Sequence, residues 1–161
     1  MREPQAYFLT WTCYGTWLHG DPRGSVAPGW NTPGTETLAP NPHRQRFEAV
    51  RMNAPAFELD TAARQVVMHA LADHASHRGW ELLTVNVRSN HIHVVVRSAG
   101  VQPERMLTEF KAWATRRLRE AGQAEADATL WTRHGSTRYL WTPTSVEAAV
   151  VYVAEGQDSP R

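Results

Sequence analysis

The sequence predicts an α+β domain of ferredoxin-like (RRM-like) architecture: an antiparallel sheet with helices on one face. Three observations carry this expectation. Strand-period and helix-period segments follow one another as strand, helix, strand, strand, helix, strand-like segment and helix, close to the β-α-β-β-α-β pattern. The two middle strands are separated only by Arg88, Ser89 and Asn90, a connection short enough for an antiparallel hairpin. The chain has 161 residues, enough for one domain with a real core, and no linker divides it, so residues 1–161 are read as a single domain.

Each element has its own signature. "QAYFLTWTCYGTW" is aromatic and β-branched and reads as the first strand, with Tyr7, Leu9, Trp11 and Cys13 alternating against Phe8, Thr10, Thr12 and Tyr14. A Pro/Gly-rich stretch then runs over about 18–56, where Pro22, Pro28, Pro33, Pro40 and Pro42 leave no regular period. It reads as a long irregular insertion, and with Trp17 and Trp30 as a candidate hairpin or substrate clamp. "HRQRFEAVRM" inside it reads as a short helix. The next helix starts after Asp60 as N-cap, buries Ala63, Val66, Val67, Ala70 and Leu71, and stops at Gly79. "WELLTVNV" and "HIHVVVRSA" form the hairpin. The following helix starts at Pro103, buries Leu107, Phe110, Ala114 and Leu118, and ends at Gly122. "LWTRHGSTRYLW" is strand-like, and "TSVEAAVVYVAEG" reads as a final helix capped by Thr144 or Ser145.

Composition narrows the function classes. Hydrophobic residues make up 42% and charged residues 20%, as in an ordinary globular protein. The net charge of +1 does not by itself announce a nucleic-acid binder, although its distribution matters below. One cysteine excludes a disulfide framework and a Cys-based zinc site, and fits a reducing, cytoplasmic setting. The opening "MREPQAYFLTW" shows neither a signal peptide nor a membrane span.

The chemistry concentrates in "RSNHIHVVVRS". Side chains alternate along a strand, so His91 and His93 share one face while Ile92, Val94 and Val96 share the other. The apolar set suits the helix-covered face, which puts the imidazoles on the open one. At i and i+2 their Cβ atoms lie roughly 7 Å apart, a spacing from which both reach one divalent ion. Two solvated surface histidines are the competing reading. His74 and His77 read as a solvated last helical turn, and His19, His43 and His134 have no partner by spacing. No Gly-x-Ser-x-Gly elbow, Walker loop or HExxH helix is present, and Cys13 has no evident base. Tyr152 remains as a nucleophile. It flanks the apolar stripe Val146, Ala149, Val150 and Val153, and an ordinary core tyrosine is the alternative.

"YFLTWTCYGTW", "NVRSNHIHVVV", "FKAWATRRLREAG", "LWTRHGSTRYLW" and "VVYVAEGQ", in this order, resemble the single-tyrosine HUH transposases, and more closely the branch of the REP-associated tyrosine transposases. The resemblance spans almost the whole chain outside the Pro-rich insertion. It implies a metal-dependent endonuclease and strand transferase acting on single-stranded DNA, often beside a hairpin. Tyr152 would be the nucleophile, forming a 5′-phosphotyrosine linkage and a free 3′-hydroxyl. His91, His93 and Gln157 would hold Mg²⁺ or Mn²⁺, with Glu155 as substitute for Gln157. In relatives of the insertion-sequence branch a polar ligand follows the tyrosine by one helical turn. Here that place is Gly156, and on a continuous helix Gln157 points about 140° from Tyr152 and Glu155 about 60°. Gly156 as a helix stop would bring Gln157 back. The family also exchanges the tyrosine helix between subunits, which implies a homodimer as one arrangement. A catalytically inactive binder of single-stranded or hairpin nucleic acid, and a phosphodiesterase using activated water, are the rivals.

Candidate nucleic-acid contacts are Arg88 and Arg97 flanking the histidine strand, Lys111, Arg116, Arg117 and Arg119 on one helix, and Arg133 and Arg138 before the final helix. Trp113, Trp131, Tyr139 and Trp141 are candidates for stacking on unpaired bases.

Overall fold

Alternation in the first strand sets the layers. In the computed structural model, which describes residues 3–16 and 56–155, β1 (Ala6–Thr12) buries Tyr7, Leu9 and Trp11 on one side and turns Phe8, Thr10 and Thr12 to the other. It is followed by α1 (Thr61–Arg78), β2 (Leu82–Val87), β3 (His91–Arg97), α2 (Pro103–Glu120), β4 (Ser136–Leu140) and α3 (Pro143–Glu155). The strands form one sheet in the order β2-β3-β1-β4, every pair antiparallel. This is the expected ferredoxin-like arrangement, with the histidine strand and β1 at its centre. The insertion up to residue 55, with the short helix expected in it, Trp17, Trp30, His19, His43, Gly156 and Gln157 lie outside the described residues.

Helix boundaries follow local chemistry. Asp60 caps α1 by accepting from the Ala63 amide at 2.8 Å, and Gly79 ends it in the left-handed region at φ 75°. Pro103 opens α2, where its missing N–H costs nothing. The last helix starts earlier than its sequence suggests. Thr142, rather than Thr144 or Ser145, is its cap. Its hydroxyl accepts from the Ser145 amide at 3.1 Å, while the Ser145 hydroxyl oxygen accepts from the Thr142 amide at 3.2 Å. This reciprocal pair has the logic of a capping box.

The main core lies between one sheet face and the two long helices. Leu9, Trp11, Ile92, Val94 and Val96 meet Val67 and Leu71 of α1 and Met106, Phe110 and Leu118 of α2. α3 refines the expectation of helices on one face. It packs on the opposite side, where Val146, Ala149 and Val153 cover Ala6, Val95 and Leu140. The histidine face is therefore partly roofed. The cause is the apolar stripe of α3 meeting the few apolar residues which that sheet face offers.

Candidate active site

Strand register assembles the site. His91 and His93 pair with Thr12 and Thr10 of β1, and His93 pairs with Asn86 of β2 on its other side. The two rings lie edge to face with centroids 4.8 Å apart. His93 is 9% exposed, and its Nδ1 is 3.0 Å from the Thr10 hydroxyl. Burial, the neighbouring His91 and the neighbouring Arg88 all disfavour its protonated form and lower its pKa to about 4. His91 Nδ1 sits 2.7 Å from Asn90 Oδ1. An amide oxygen only accepts, so His91 donates Nδ1–H and carries its lone pair on Nε2. Thr10 is placed to accept from His93 in the same way.

Such outer hydrogen bonds fix ring orientation and tautomer as metal-binding histidines require. The pair therefore fits a divalent ion as two ligands of an open site. Among the described residues no group of three His, Cys, Asp or Glu side chains gathers, so Glu155, exposed at the end of α3, stands apart from the two histidines.

Tyr152 arrives from the roof. Its ring lies 6.1 Å from His93, nearly perpendicular, and 6.0 Å from Phe8, which in turn meets His93 at 5.5 Å. Half of Tyr152 is exposed, so a solvent-borne phosphate has access to it. The turn that carries it is tied down by Asn86, whose Nδ2 donates to the Val153 carbonyl at 3.0 Å. Carbonyls in a last helical turn lack intrahelical donors, and Asn86 supplies one from the strand beside His93. Thr10, Asn86, Asn90 and Phe8 were not singled out by sequence. Period-two alternation puts Thr10 and Phe8 on one face of β1, but only the register shows which histidine they meet. Asn86 and Val153 are 67 positions apart.

The family described as "Transposase IS200 like" matches residues 53–151, more than half of the chain, with both histidines inside the match. The chain belongs to this family. The match stops one residue before Tyr152. No curated protein matches the chain. Among solved structures, a REP-associated tyrosine transposase bound to a REP hairpin superposes with a TM-score of 0.51 at 12% identity, over 95% of this chain and 68% of that one. The likeness supports the fold, and family membership makes this a DNA-processing enzyme.

In this IS200-like transposase the candidate DNA contacts separate into two groups. Those on α2 lie across the sheet from the histidines and are engaged within the protein. Lys111 Nζ donates to the Thr132 and His134 carbonyls, and burial lowers its pKa. Arg116 pairs with Glu120 and lies over the Trp113 ring, Arg117 pairs with Asp73, and Arg119 donates to the Glu125 and Ala128 carbonyls. Arg97 pairs with Glu81. Arg88 lies close enough to His93 to lower its pKa. Arg133 and Arg138 are exposed. The aromatic candidates divide as well. Trp131 donates to Thr115 Oγ1 at 2.8 Å and packs on Trp11 and Phe57. Trp113 stacks on His74, whereas Tyr139 and Trp141 are exposed and adjacent.

His74 corrects an expectation. It is 6% exposed rather than solvated, and its Nε2 bonds Glu109 at 2.7 Å. Glu109 stands 35 positions away on α2, beyond the reach of a pattern read on α1 alone.

Proposed function

We propose that this transposase nicks and rejoins single-stranded DNA through a 5′-phosphotyrosine linkage on Tyr152, with Mg²⁺ or Mn²⁺ held by His91, His93 and Gln157. The placement of Tyr152 beside the histidine pair of its own chain carries this reading. Tyr152 Oη attacks the scissile phosphorus and forms a P–O bond. The bond to the 3′ oxygen breaks, that oxygen leaves with the electron pair and takes up a proton, and the phenolic proton passes to solvent. Rejoining reverses these changes with another 3′-hydroxyl, so the bond energy stays in the linkage and no nucleotide cofactor is needed. His91 and His93 hold orientation through Asn90 and Thr10. A divalent ion bound there would withdraw charge from the phosphate oxygens. The REP hairpin in the related structure supports a single-stranded substrate next to a DNA hairpin.

The test incubates the wild type and Tyr152→Phe with labelled single-stranded DNA, in Mn²⁺ and in EDTA. A covalent protein–DNA band that requires both Tyr152 and the metal is expected. Metal-dependent cleavage that survives Tyr152→Phe would instead identify an activated-water phosphodiesterase. Binding without cleavage would identify an inactive binder.

A further inference from the structure

The histidine–tyrosine face needs a positive charge for the substrate backbone, and Arg97 on the histidine strand and the basic side chains of α2 across the sheet are already committed. Arg97 is held by Glu81, Arg116 by Glu120 and Arg117 by Asp73, while Lys111 and Arg119 donate to backbone carbonyls. Arg138 differs. It is exposed and, among the described residues, makes no hydrogen bond or ion pair. Register fixes the side on which it stands. Arg138 is paired with Phe8, and directly opposed residues in an antiparallel pair project to the same face. Phe8 contacts both His93 and Tyr152. Leu140, two residues on, packs under Val146 and Ala149 of α3, which confirms the parity. Neighbouring strands lie about 4.8 Å apart, so the Arg138 side chain begins one strand beyond Phe8 and has the length to reach a phosphate bound between Tyr152 and the histidines. Arg133 is exposed and unpaired too, but it precedes β4 and no strand pairing puts it on this face.

We propose that Arg138 binds the backbone phosphate of the single strand at the active site, running that strand across the Phe8–Arg138 row, and that the arginines of α2 serve the fold rather than the DNA. An arginine fork suits a phosphate because two N–H groups meet two oxygens at once. This inference rests on the nicking function proposed above, and its test separates the two.

Binding of a fluorescein-labelled, random-sequence single-stranded oligonucleotide pool is followed by anisotropy at several salt concentrations. The proteins are wild type, Arg138→Gln, Arg138→Lys and the double variant Arg116→Gln/Arg117→Gln. Arg138→Gln should weaken binding about 5–10-fold and reduce the salt slope by about one, and Arg138→Lys should recover the slope. The α2 double variant should stay within about 2-fold of wild type. Melting temperatures should be unchanged for Arg138→Gln, which removes no partner. Unchanged affinity in Arg138→Gln, an equal or larger loss in the α2 variant, or no wild-type binding would each overturn the proposal. The Tyr152-dependent adduct in Mn²⁺, scored separately, decides the nicking function whichever way binding falls.

Discussion

His93 is buried beneath Tyr152 with Nδ1 against Thr10, and the fold holds its pKa at about 4 against an ordinary 6.5. The folded protein therefore prefers neutral His93, while the unfolded chain takes up a proton between these values. The associated stability is present above pH 6.5 and is lost as pH falls toward 4, amounting to at most about 3 kcal/mol. Metal-free wild type should lose more melting temperature between pH 7.5 and 4 than His93→Gln does. Equal losses would show that the proton is not excluded. Asn86 acts through another residue. Replacing it with Ala leaves the Val153 carbonyl without this donor and frees the turn that carries Tyr152. Adduct formation should slow by about 10–100-fold, as a misplacement on the order of 1 Å does. Affinity for single-stranded DNA and for Mn²⁺ should stay within about 2-fold. A parallel fall in DNA affinity would point to a general structural role instead.

Elements were legible wherever their ends carry local chemistry. Asp60, Gly79 and Pro103 mark α1 and α2 because a cap acts within a few residues. The faces of β1 and β3 follow from alternation alone. β4 was harder, since its strand is only five residues long and the Gly135 before it approaches a neighbour closely. A Cβ at Gly135 would lie 2.6 Å from the Thr10 carbonyl oxygen and 2.9 Å from Leu107 Cδ2. Gly135→Ala must push β4 away from β1, at a cost of about 1–3 kcal/mol by analogy with overpacking. The melting temperature should drop by roughly 3–10 °C. A variant as stable as wild type would mean that the strand start yields freely. The partners of the basic residues on α2 were not legible for the opposite reason. One helix shows which residues are charged, but Asp73 and the carbonyls of 125, 128, 132 and 134 that engage them come from elsewhere in the fold.

At the scale of the molecule, the topology gathers what the sequence scatters. β1 lends Thr10 and Phe8, β2 lends Asn86, β3 the histidines, β4 Arg138 and α3 Tyr152, all on the face opposite the main core. The histidine pair was legible because both imidazoles stand on one strand, while Thr10, Phe8 and Asn86 were not, because each belongs to another. An ion held at the proposed site, which spans these elements, would couple its binding to the folded state. Histidine ligands in an unfolded chain are not held together, so Mn²⁺ should stabilise the native protein by about 2.7 kcal/mol at 100 times its dissociation constant. Thermal melts of wild type in excess Mn²⁺ should therefore rise by several degrees over melts in EDTA. Tyr152→Phe should keep the full rise, because the ring is no ligand. His91→Ala should lose most of it, because one imidazole and its Asn90 support are removed while the core on the other face stays intact. A rise that survives His91→Ala would place the ion elsewhere, and the histidine strand would then need a different account of why two imidazoles face Tyr152.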